Sequence, residues 1–157
     1  NILVDSHGRA FVTDVGLSTM LDEVTESGPF YGSRLGAIRW VAPELMVTRS
    51  FSIRFPTSKS DVWSFGCNMI HVLSGQEPLS ALTSDMDVVN CLVKNHVPPS
   101  PQSISSHHLS FLRQCFSLRP ADRPSTDKIL AFVRGEPSQS IAEMQRIVEV
   151  CLVCLSS

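Results

Sequence analysis

Asp14 and Gly16 stand together at the exit of a short apolar run, Ala10-Phe11-Val12, and that pairing can do metal chemistry. A carboxylate is a hard oxygen ligand of the kind Mg2+ takes, and a glycine just beyond it lets the chain turn sharply away from the ion. Asn1 adds an amide oxygen, a second ligand of the same hardness. On their own these residues more often make only a turn at a strand exit. Cys151-x-x-Cys154 invites a zinc or redox reading, yet structural zinc wants four ligands and no second pair is nearby. Among apolar neighbours the two cysteines read as small core residues. His107-His108 has no Cys or carboxylate at ligand spacing and reads as a solvated helix start.

The elements that must position these residues follow from turn signals and apolar period. Ile2-Leu3-Val4, the turn-prone Asp5-Ser6-His7-Gly8 and Ala10-Phe11-Val12 read as a short β-hairpin. From Thr13 to about Arg39 the pattern loses its period among Gly, Ser and Thr, which predicts a long loop of functional kind. After Ala42-Pro43-Glu44 the remainder reads as helices. Ser60-Asp61 offers an N-cap signal, and Val62, Phe65, Met69 and Leu73 form an apolar stripe that ends at Gly75. Trp63, Ile70 and Val72 lie between them, so this helix is expected to be buried on most sides. Further helices are predicted over about Met86–Lys94, His107–Phe116, from Ser125-Thr126 to near Gly135, and from Ser140 onward. Pro98-Pro99-Ser100-Pro101 reads either as an extended ligand for an SH3-type module or, more simply, as the linker between two helices.

The chain has 157 residues, 43% of them hydrophobic and 18% charged, with 8 Gly and 10 Pro. That composition belongs to a globular domain and excludes a mainly disordered or collagen-like protein. With 13 basic and 15 acidic residues the net charge is −2, so no overall field draws it onto nucleic acid or an anionic membrane. The longest apolar stretch, Val150–Leu155, is far short of a membrane span. Five cysteines, an odd number and widely spread, point to a reducing, cytoplasmic setting. The first residue is Asn1 rather than Met, which suggests a segment upstream.

Order and spacing sharpen the picture. Asn1-Ile2-Leu3-Val4-Asp5, Thr13-Asp14-Val15-Gly16, Gly36-Ala37-Ile38-Arg39-Trp40-Val41-Ala42-Pro43-Glu44, Ser60-Asp61-Val62-Trp63-Ser64-Phe65-Gly66 and Arg119-Pro120-Ala121-Asp122-Arg123-Pro124-Ser125 occur in that sequence. Together they resemble a protein kinase, and the Ile38–Glu44 run is most similar to the tyrosine-kinase-like branch. The resemblance covers residues 1–135, a partial kinase domain, and leaves 136–157 as an amphipathic helical tail. It implies a mainly α fold, the kinase C-terminal lobe opened by a small hairpin, with the N-terminal lobe absent.

The resemblance also implies roles. Asn1 and Asp14 would hold the Mg2+ that bridges the ATP phosphates, with Gly16 as the turn beyond them and Val15 in the place usually taken by Phe. Residues 14–44 would be the activation loop, with Ser18, Thr19, Thr25, Ser27, Tyr31 and Ser33 as candidate phosphorylation sites. Glu44 and Arg123 would form a buried ion pair. Asp61 would accept hydrogen bonds from catalytic-loop backbone, although from the sequence alone it reads equally as a helix cap, and Trp63 would anchor the core. Ala37 stands where Ser/Thr kinases usually place a Thr, which leaves Ser/Thr against Tyr specificity open.

No Gly-rich loop, strand lysine, partner Glu or His-Arg-Asp motif occurs in the 157 residues, so the catalytic Asp is not among them. The expected function is transfer of the ATP γ-phosphate to a protein hydroxyl, with this chain inactive by itself. The rivals are a non-catalytic, pseudokinase-like interaction lobe and an incomplete product without stable activity. The expected partner is a protein substrate, with no nucleic acid and no membrane span. The apolar stripe Ile141, Met144, Val148, Cys151 and Leu155 either packs back on the lobe or meets a partner.

Overall fold

A computed structural model describes residues 2–7, 9–13, 38–46 and 56–135. Asn1, Asp14, Val15, Gly16, the candidate phosphorylation sites, Ala37 and the tail with Cys151 and Cys154 lie outside the described residues.

Strands β1 (Ile2–Val4) and β2 (Ala10–Val12) pair antiparallel, with Ile2 opposite Val12 and Leu3 opposite Phe11. The turn between them is held by one carboxylate. Asp5 accepts the backbone N–H of His7 at 2.9 Å and of Arg9 at 2.8 Å, and the Arg9 Nε at 2.7 Å. These short local bonds are what an Asp in a tight turn supplies.

The rest is helical: α1 (Pro43–Met46), α2 (Ser58–Ser74), α3 (Asp85–Val93), α4 (Ser106–Cys115) and α5 (Thr126–Arg134), with 3-10 turns at Ile38–Trp40 and Pro120–Asp122. Each of α2 to α5 begins on a side-chain cap, from Thr57, Ser84, Ser105 and Ser125. The α2 cap corrects the sequence reading. Thr57 is the N-cap, and the residue expected to cap, Ser60, sits one turn inside and closes a reciprocal box with it. Ser60 N–H donates to Thr57 Oγ1 at 3.2 Å while Thr57 N–H donates to Ser60 Oγ at 2.8 Å. Two hydroxyl residues three apart satisfy two orphan donors at once, which a single cap cannot do. At the other end Gly75 takes φ 70°, the left-handed conformation open to glycine, and returns its N–H to His71 O at 2.8 Å.

Helix α2 is the axis of the core. Val62, Trp63, Phe65, Gly66, Cys67, Met69 and Ile70 are all buried, as its near-continuous apolar sequence requires. Val88 and Leu92 of α3, Leu112 and Cys115 of α4, and Ile129 and Val133 of α5 complete the packing. Gly66 permits α4 to approach closely: a Cβ there would meet the Phe116 ring at 2.9 Å and Cys115 Cβ at 3.1 Å. Phe111 and Phe132 stack at 3.8 Å between α4 and α5. The Pro98–Pro101 stretch joins α3 to α4 with Pro98 buried. No helix among the described residues is long and apolar enough to cross a membrane.

Candidate functional site

Arg123 follows the Pro120–Asp122 turn, and its backbone is braced from α2: Lys59 Nζ donates to Arg123 O at 2.6 Å and to Pro124 O at 3.3 Å. Its guanidinium meets Glu44 on α1 in a two-point contact, Nη1 to Oε1 at 2.6 Å and Nη2 to Oε2 at 2.7 Å. The Arg123 side chain is 0% exposed and that of Glu44 18%, so the pair is largely withdrawn from water. Its other donors are engaged as well, Nη1 with Lys59 O at 2.8 Å and Nε with Ser117 O at 2.9 Å. A buried charge is tolerable when paired and hydrogen-bonded in this way. The Trp63 ring lies beneath the guanidinium at 5.2 Å and meets Phe116 edge-on at 5.0 Å. The structure thus brings together Glu44, Trp63 and Arg123, three residues far apart in the chain. Trp63 Nε1 itself is buried without a hydrogen-bond partner among the described residues.

Asp61 lies within the first turns of α2, past the cap, where its carboxyl makes no hydrogen bond among the described residues. Burial holds its pKa above the ordinary value. The Asp5 carboxyl shows the opposite: the Arg9 backbone N–H and then its guanidinium hold the pKa below the ordinary carboxylate value.

Arg39 is the residue that sequence reasoning passed over except as a letter in a motif. Its guanidinium reaches the loop between α2 and α3, donating from Nη1 to Leu79 O at 2.7 Å and from Nη2 to Leu82 O at 2.7 Å. Nε lies 3.6 Å from the Glu77 carboxylate. Ser64 Oγ donates to Trp40 O at 2.8 Å, so the Ile38–Trp40 turn is tied both to α2 and to the loop beyond it. The available signal was a lone cation inside the apolar run Ile38-Arg39-Trp40-Val41. Its partners are backbone carbonyls, which leave no mark in sequence.

The buried thiols are not nucleophiles. Burial pushes Cys115 up to about 12, with Arg123 pulling the other way, and it raises Cys67 further. A thiol kept protonated is inert. Among the described residues no group of three or more His, Cys, Asp or Glu is placed to hold a metal ion. The candidate ligands Asn1 and Asp14 lie outside that set.

Comparison with known proteins agrees with the architecture. The family described as protein tyrosine and serine/threonine kinase matches residues 1–133. Ephrin type-B receptor 4b of Danio rerio is 40% identical over 129 residues, covering 79% of this chain and 12% of the receptor. Mitogen-activated protein kinase kinase kinase 2 of Arabidopsis thaliana is 32% identical over 148 residues, 91% of this chain and 22% of that protein. Mitogen-activated protein kinase kinase kinase mkh1 of Cytospora mali is 30% identical over 135 residues, 83% of this chain and 7% of that protein. The chain therefore spans less than a quarter of the length of each of these three relatives. A match that runs through nearly every described element and ends at Val133, inside α5, is too extensive to come from shared motifs alone: the chain belongs to the protein tyrosine and serine/threonine kinase family.

Proposed function

We propose that this chain supplies the metal-holding half of a protein kinase domain that transfers the γ-phosphate of ATP to a protein Ser or Thr hydroxyl, or to Tyr. The observation that carries the reading is the hairpin register. Ile2 lies opposite Val12; in the sequence Asn1 directly precedes Ile2 and Asp14 comes two residues after Val12. An amide oxygen and a carboxylate form a donor set that Mg2+ accepts, so the residues fit the ion. Kinases of this family generally use ATP and Mg2+, and the ion, when bound, offsets charge on the nucleotide phosphates.

The chain's own residues then act by position. Asn1 and Asp14 would present oxygen ligands to the ion, and Gly16 would let the chain turn away from it. Glu44 and Arg123 anchor the end of the segment that leads from Asp14 into the helical bundle, and Arg39 fastens the turn just before it. The domain proper is assigned to 1–135 and a helical tail to 136–157. Cys67, Cys91 and Cys115 are free thiols, which suits a reducing cytoplasmic setting.

The group that would orient the acceptor hydroxyl belongs to a His-Arg-Asp motif that these 157 residues do not contain. The chain alone is therefore expected to transfer no phosphate and to bind Mg2+-nucleotide weakly. A radiolabelled ATP assay with myelin basic protein as acceptor tests this. Transfer by the purified chain, lost on Asp14→Ala, would overturn the inactive assignment.

A further inference from the structure

The loop between α2 and α3 does more than connect. Together with the Pro99–Pro101 stretch it encloses a half-open cavity of roughly 210 Å3. Ile70, Leu79, Ala81, Pro99 and Pro101 give it an apolar lining, and Glu77 is the only charged residue on that lining among the described residues. Small-molecule sites usually span about 300–1,000 Å3, so this cavity is undersized for such a ligand and suits a single large side chain.

Two features show that the cavity is built rather than incidental. Leu79, a non-glycine residue, is held at φ 55°, and strained backbone of this kind persists only where the surroundings enforce it. Here the enforcement is visible: Arg39 donates to Leu79 O and to Leu82 O, both at 2.7 Å. Pro99 and Pro101 on the lining further limit how much the cavity must be ordered when it is filled. The electrostatics are one-sided. From Gly75 to Val93 the chain carries Glu77, Asp85 and Asp87 and no Lys or Arg. Arg39, the cation at this loop, is 15% exposed and engaged with carbonyls, whereas the Glu77 side chain is 55% exposed. Its 3.6 Å contact with Arg39 is a partly exposed ion pair of small worth, so the carboxylate can take a second cation.

We propose that this cavity docks an extended protein segment through one large apolar side chain, with an adjacent Lys or Arg meeting Glu77. Such docking fixes a partner or substrate protein through residues other than Asn1 and Asp14, and it does not depend on phosphoryl transfer.

The test uses the full 157-residue chain and the peptide acetyl-Gly-Lys-Phe-Arg-Gly-amide, followed by amide NMR. Saturable shifts are expected at Ser80, Ala81 and Ser100. Replacing the peptide phenylalanine by alanine should weaken binding by at least about tenfold, as loss of an anchor does. Glu77→Gln should weaken it by about threefold and flatten its salt dependence. Ala81→Arg, a change at an exposed lining residue, should abolish it at an unaltered melting temperature, with Ser80→Arg as the second variant should the first fail to fold. The proposal is overturned by unshifted signals at these residues, by equal binding of a peptide carrying Glu in place of Lys and Arg, or by a folded Ala81→Arg chain that binds like the parent. It is overturned equally if these signals move on dilution without peptide, which would assign the cavity to a second copy. Movement on deletion of 136–157 would assign it to the chain's own tail.

Discussion

The Arg123 side chain is shut off from water, and among the described residues its charge is held by Glu44, Lys59 O, Ser117 O and the Trp63 face. Removing one half of such a buried pair costs about 3–5 kcal/mol. Arg123→Ala should therefore lower the melting temperature strongly, at roughly 2–4 °C per kcal/mol for a chain of this size. Arg119→Ala serves as the control: that side chain is 84% exposed, and exposed changes usually stay within about 0.5 kcal/mol. Equal effects in calorimetry would count against the pair's importance. The two shifted carboxylates give opposite pH signatures. The Asp5 pKa is depressed below its ordinary 3.8, so its stabilisation of the hairpin is present above that value and lost as pH falls through the folded pKa. The Asp61 pKa is raised above 3.8, so stability is fullest below that value and declines as pH rises through the folded pKa. Asp61→Asn should accordingly raise the melting temperature at pH 7, with the gain vanishing below about pH 3.8. Glu44 and Arg123 were legible in the sequence only through motif order. Arg39 was not, because its contacts are to carbonyls.

The elements follow from period and capping, and their ends show where sequence patterns run out. The apolar stripes located α2, α4 and α5 because each must bury a face on a shared core. Helix α3 instead buries Val88 and Leu92 and leaves Met86 and Val93 exposed, so the face Met86, Val89 and Val93 share is not its core face. Ser60-Asp61 misled at the start of α2 because Thr57 and Ser60 both cap well, and only reciprocal bonding decides between them. Thr57→Ala removes that box and should cost about 1 kcal/mol, readable as a shifted urea midpoint with an unchanged slope. The 3-10 turns at Ile38–Trp40 and Pro120–Asp122 and the four-residue α1 are too short to show any period. Gly66 is the tightest point between α2 and α4. Gly66→Ala would drive a methyl into the Phe116 ring and the Cys115 Cβ and should destabilise by about 1–3 kcal/mol. Gly135→Ala, whose Cβ would meet, among the described residues, the Ala131 and Phe132 carbonyl oxygens at 3.4 and 3.5 Å, ordinary contact distances, should be close to neutral.

On the scale of the whole molecule, one bundle around α2 fixes three regions: the Glu44 anchor, the Arg39-tied turn and the loop cavity beyond it. The mainly helical lobe with its small hairpin was readable from motifs in order, and the match over residues 1–133 agrees. The cavity was not readable, because it is made by loops brought together from either side of α3. The central claim is that this lobe is the metal-holding part of a phosphotransferase. Its most direct test is a chimera in which the upstream half of a relative's kinase domain, with its Gly-rich loop, strand lysine and His-Arg-Asp, is joined before Asn1. Radiolabelled ATP and a protein acceptor then read γ-phosphate transfer in chimeras shown to melt cooperatively. The account predicts transfer, reduced on the order of 100-fold or more by Asp14→Ala. A cooperatively folded chimera that transfers no phosphate, or one that Asp14→Ala leaves fully active, would contradict it.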